Sequence, residues 1–200
     1  MMKRAFTLVE MMFAISIALV LGFLISNFAK NIINFNASSQ ASMTAQLEGR
    51  SILNTMVTEL RSTAPSAQGS YAIESASTSS IVFFYDVNGD NATDRIRYFI
   101  DTPSRTLKRG LTLASGAPPG YTGSTETFTT LISDISNGST PMFDYYDKNF
   151  TGTSSPLTMP VSISDIRLVK VTAKIEHDPN RSPSVLTVSS LATLRNLRDQ

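Results

Sequence analysis

An α+β fold is predicted for the chain. One long N-terminal helix, its first half able to cross a membrane, precedes an antiparallel β-sheet head packed on its second half. Three observations carry that expectation. No charged side chain occurs from Met11 to Ala29. Apolar residues then recur at helical spacing as far as Leu60, and from Ile81 the pattern switches to the period of two that marks strands.

Composition excludes several function classes. The 200 residues hold 17 Lys+Arg and 16 Asp+Glu, a formal charge of +1, so no global basic field points to nucleic acid. Charged residues make up only 16%, against about 25% in an average soluble protein. There is no Cys, which excludes disulfides, thiol nucleophiles and thiolate metal sites. The single His, His177, sits in a His-Asp-Pro-Asn stretch that reads as a turn. No nucleophile elbow, zinc-protease helix or phosphate loop accompanies it, so the chain reads as a non-enzyme.

The helix is expected from Phe6 to Arg61, about 80 Å if straight at about 1.5 Å per residue. Residues 6–29 match a hydrocarbon core of about 30 Å. Residues 30–62 continue the helix, with Met43, Leu47, Leu53, Met56, Val57 and Leu60 at helical spacing. Ala64-Pro65 stops it. Lys3 and Arg4 precede the apolar run, which places the N-terminus in the cytoplasm and the head outside. The run is too long for an ordinary secretory signal and lacks a clean Ala-x-Ala end. Glu10 is the anomaly: a carboxylate at mid-membrane costs on the order of 2.5–3.5 kcal/mol, so it calls for a partner.

The head spans 63–200. Residues 65–80, rich in Ser, Ala, Gly and Thr, read as a connecting loop. Strands are predicted at 81–85, 95–100, 105–113, 142–146, 166–175 and 185–194, with 128–135 a strand or a short helix and 115–125 a flexible loop. Between the first two strands, Asp86, Asn88, Asp90 and Asp94 place oxygen ligands as the start of a calcium loop does. Gly89 precedes Asp90 instead of following it, and no Glu closes the loop. A hairpin turn without metal explains the same residues. Phe83, Phe84, Tyr98, Phe99, Tyr145 and Tyr146 read as core and cross-strand packing, an aromatic sugar- or DNA-binding strip being the alternative. Arg95, Arg97, Lys108, Arg109 and Arg167 could line one face for nucleic acid or be solvated strand edges. The N-x-[ST] matches at Asn36, Asn91, Asn137 and Asn149 are expected by chance in so Ser/Thr-rich a chain.

The segment Lys3-Arg4-Ala5-Phe6-Thr7-Leu8-Val9-Glu10 resembles the class III signal of type IV pilins and type II secretion pseudopilins. The resemblance implies a cleaved basic leader, residues 1–5, cut by a prepilin peptidase between Ala5 and Phe6, and N-methylation of Phe6. Glu10 then stands fifth, where the family places its glutamate; Ala5 departs from the family's usual Gly. The stretches 83–90, 107–109, 143–147 and 193–197 resemble larger minor subunits, of the J-type pseudopilin or W-type minor pilin kind. The implied function is a subunit in a filament-tip complex that primes assembly of a pilus or secretion pseudopilus. Its implied partners are sister subunits, the peptidase, the inner-membrane assembly platform and membrane lipid. Two rivals stand beside it: a single-pass anchored binding domain that does not polymerise, and a DNA-uptake minor pilin.

Overall fold

The computed structural model describes residues 7–176 and 185–197. Ala5, Phe6 and the His177 turn lie outside the described residues. The chain divides into two compact units between Met43 and Thr44, so the last turns of the helix belong with the head.

Helix α1 runs Leu8–Arg61. In its first unit the large apolar side chains are exposed, Leu19 at 70% and Phe23 at 68% among them. This stretch is long and apolar enough to cross a membrane, and none of its most apolar window is buried by the chain itself. In the second unit the helix is one-sided. Leu53, Met56, Val57 and Leu60 are buried in the head core, each worth roughly 1.5–3 kcal/mol. Leu47 is exposed, and Met43 lies in the first unit and is exposed too, so the helical spacing extends further than the core does. Gly49 is buried, and a Cβ there would lie 3.2 Å from Ile175 Cδ1 and 3.4 Å from Val188 Cγ2. The missing side chain lets the helix approach the strands.

The head holds two antiparallel sheets where one was expected. The first contains β1 (Ile73–Ala76), β2 (Ser80–Tyr85), β3 (Asp94–Asp101), β4 (Thr106–Thr112) and β5 (Thr127–Ile132), in that spatial order. The second contains β6 (Phe143–Tyr146), β7 (Leu168–Ile175) and β8 (Leu186–Thr193). Strand β1 lies within the 65–80 stretch whose composition predicts a connecting loop. It is a four-residue edge strand with a bulge between Ile73 and Ser75, and only Ile73 is buried, so it has no period to detect. Strand β5 is an edge strand with Thr127 to Thr130 exposed, which explains its ambiguous pattern. Ile166, expected to open β7, instead follows a 3₁₀ turn at Ile163–Asp165 and is fully buried.

The sheets share one core of Phe83, Ile96, Tyr98, Phe143, Val169 and Val171 against the helix. Their seam is hydrogen-bonded. Tyr145 Oη donates to Ser77 O at 2.8 Å, and the Met142 and Phe143 amides donate to Thr78 O. Beside β7, beyond the end of β6, Asn137 acts as a peptide group: its Nδ2 donates to Thr172 O and its Oδ1 accepts from Lys174 N, both at 2.8 Å. Asn137 is buried, so this N-x-[ST] match is a structural clamp.

Candidate functional site

Thr7 immediately precedes the first helical residue, and Glu10 is the third residue inside. The Glu10 amide donates to Thr7 Oγ1 at 3.3 Å. In return Glu10 Oε2 accepts from the Thr7 amide at 2.8 Å and from Thr7 Oγ1 at 3.0 Å. This is a capping box, which satisfies backbone donors at the helix start and puts negative charge at the positive end of the helix dipole. Its sequence signal is Thr-x-x-Glu ahead of an apolar run, a pattern hidden when Glu10 is read only as a charge in an apolar stretch. The box gives Glu10 Oε2 two hydrogen-bond donors within its own chain. Glu10 Oε1 accepts no hydrogen bond among the described residues.

The loop between β2 and β3 turns its oxygens inward. Asp86 accepts from the Gly89 and Asn91 amides, at 2.7 and 2.9 Å. Asp90 accepts from the Ala92 amide and the Asn88 side chain, both at 2.8 Å. Buried Asp94 accepts from the Val87 and Ala114 amides. All six carboxylate oxygens therefore have partners inside the chain. Gly89 and Asn91 adopt left-handed φ of 76° and 66°, as a tight turn requires. Among the described residues no group of three or more His, Cys, Asp or Glu is placed to hold a metal.

The cations of the first sheet are paired with carboxylates. Arg95 meets Glu74 at 2.5 Å, Arg97 meets Glu126 at 2.9 Å, and Lys108 meets Asp101 at 2.5 Å. Arg97 also lies over the Phe99 ring, 4.3 Å from its centre. Gly110 pairs with Arg97 in the sheet, and a Cβ on it would overlap the Glu126 carboxylate. On the inner face Arg109 makes a two-bond fork to Glu59 of the helix, at 2.8 and 3.2 Å. Tyr98 Oη donates to the same carboxylate at 2.6 Å. Burial, with the Glu59 charge beside it, pushes the Tyr98 hydroxyl far up, so it remains a donor at any ordinary pH. Burial pulls the Arg109 guanidinium down, and Glu59 outweighs that and leaves it raised. Arg167 donates to the carbonyls of Ser164 and Ile166. The cations weighed as a nucleic-acid face or as solvated strand edges are thus interleaved with acids, and one of them, Arg109, faces the helix.

No family model, curated protein or solved structure matches the chain.

The arrangement offers three things chemically. Its helix α1 is long and apolar enough to cross a membrane, a carboxylate oxygen is presented at the start of that helix, and the head holds two sheets on one core. Of the predicted aromatic residues, Phe83, Phe84, Tyr98, Tyr145 and Tyr146 are buried, and Phe99 packs edge-on to the exposed Phe128.

Proposed function

We propose that the chain is a non-enzymatic minor subunit of a type IV pilus or type II secretion pseudopilus, held in the cytoplasmic membrane with its head outside. The observation that carries this reading is the placement of Glu10. It sits in the first turn of a helix whose large apolar side chains before Thr44 are exposed among the described residues, shortly after a leader that resembles the pilin type. An apolar surface of that length is stable only against lipid or against other helices, which are the two environments a filament subunit meets in turn.

Cleavage after Ala5 leaves the Thr7 nitrogen an amide, so the capping box survives processing. It creates a Phe6 amine that stays cationic when methylated once. The Glu10 Oε1 of a neighbouring subunit then serves as its counter-charge, and in a low-dielectric setting that pairing offsets the cost of burying either group alone. Loss of Lys3 and Arg4 changes the formal charge from +1 to −1 and removes the cytoplasmic anchor that opposes extraction. The partners on this reading are sister subunits, the prepilin peptidase, the assembly platform and membrane lipid.

Intact mass and N-terminal sequencing of the protein, recovered from membranes with its peptidase present, test the reading. A chain that starts at Phe6 and is heavier by one methyl group is expected. A chain that still starts at Met1 or Met2 overturns it in favour of an anchored domain that does not polymerise.

A further inference from the structure

A groove of about 750 Å³ opens on the head between β1, the 120–121 loop and the 3₁₀ turn at Ile163–Asp165. That volume lies within the range of small-ligand sites. Its aromatic wall is Tyr121, whose ring stacks on Phe84 at 5.3 Å between centres. The ring is fixed at its tip: Tyr121 Oη donates to Thr93 O at 2.6 Å and accepts from the Ala67 amide at 3.1 Å. The loop that carries it, expected to be flexible, is closed by two hydrogen bonds between Ser115 and Gly120, at 2.8 and 2.9 Å. A Cβ on Gly120 would stand 2.9 Å from Gln68 Nε2, so the glycine makes room for that amide at the rim. Tyr71 adds a second partly exposed ring.

The polar lining selects the ligand. The charged groups in the groove are Glu74 and Arg95, and they are matched to each other by a two-bond fork. A groove so neutralised offers no net attraction to a phosphate, an acidic glycan or a cation. The fork still has unused lone pairs and N–H groups, and the Gln68 amide and Ser70 and Ser164 hydroxyls stand around it. An extended peptide would need a free strand edge, and β1 lies against the 163–165 turn. Planar polar side chains beside preorganised aromatic faces suit a pyranose ring: its C–H face stacks on the aromatic and its hydroxyls bond in the plane.

We propose that this groove binds a neutral oligosaccharide, with Tyr121 and Tyr71 as stacking platforms and Gln68 and the Glu74–Arg95 fork as hydroxyl partners. Because the platform is held in place before binding, little ordering entropy is lost on association.

The test is saturation-transfer NMR on the full chain in phosphocholine micelles, which carry no sugar headgroup. The probes are chitotetraose and cellotetraose, run beside a heparin oligosaccharide and a Ser/Thr-rich peptide. Transfer to the ring C–H protons of at least one neutral sugar is expected. Tyr71→Ala and Gln68→Ala are each expected to weaken it about tenfold or more. Tyr121→Phe keeps the ring but frees its tip, and is expected to weaken binding less than Tyr71→Ala. Thermal midpoints of the variants separate loss of binding from loss of fold. No transfer to either neutral sugar overturns the proposal. So does transfer that is unchanged in folded Tyr71→Ala and Gln68→Ala, or seen only with the heparin fragment or the peptide.

Discussion

Glu59 shows how one side chain can tie a helix to a sheet. Its carboxylate takes the Arg109 fork and the Tyr98 hydroxyl together, and both charged side chains are largely withdrawn from water. Removing one partner strands the other, so Glu59→Gln is expected to cost about 3 kcal/mol in chemical denaturation, whereas Tyr98→Phe costs about 1 kcal/mol. Equal losses for the two would mean that the fork adds nothing. Between β2 and β3, the acidic loop gives five of its six carboxylate oxygens to backbone amides and the sixth to the Asn88 side chain. Added calcium is therefore expected to leave the thermal midpoint unchanged, while Asp86→Ala lowers it by releasing the Gly89 and Asn91 amides. A midpoint that rises with calcium would reassign the loop to metal.

Among the elements, α1 carries two designs in one helix. Before Thr44 its apolar side chains are exposed all round, which suits lipid or neighbouring helices. After it, only one stripe is buried, and Gly49 sets how closely that stripe meets β7 and β8. Replacing a helical Gly by Ala gains about 1 kcal/mol of propensity, and the contact of 3.2 Å with Ile175 opposes it. Gly49→Ala is therefore expected to be near neutral. Gly49→Leu, with nowhere to put its side chain, is expected to lose about 2 kcal/mol or more in the same denaturation experiment. If the leucine variant matched wild type, the close approach would not matter. Strands β3 and β7 were legible from alternation with one face turned inward, and β2 from a run of β-branched and aromatic residues buried on both faces. Short β1 and exposed β5 were not, since an edge strand buries too little to leave a pattern.

On the scale of the whole molecule, the two units present different surfaces. Residues 8–43 lack a core of their own, and the head has a continuous one. The proposed processing acts on the first unit alone, changing the formal charge by two and freeing an amine four residues ahead of Glu10. The proposed glycan groove belongs to the head alone, so either can fail in experiment without the other. The cations that suggested nucleic acid meet acids that lie far away in the chain, Arg95 with Glu74 and Arg97 with Glu126. Pairs of that separation are made by strand register and leave no local signature.

The amino-acid sequence by itself determined the membrane-length helix, its end near Ala64-Pro65 and the α+β class, because each is written in local hydrophobic period and in the backbone limits of proline. The Thr7–Glu10 box belongs with these, being a spacing of three residues. Tertiary structure alone decided the division of the head into two sheets, the pairing of its strand cations with acids and the joining of Tyr121, Tyr71 and Gln68 around one groove. Those depend on which strands pair and which faces turn inward, and that is settled by the burial of the whole core together.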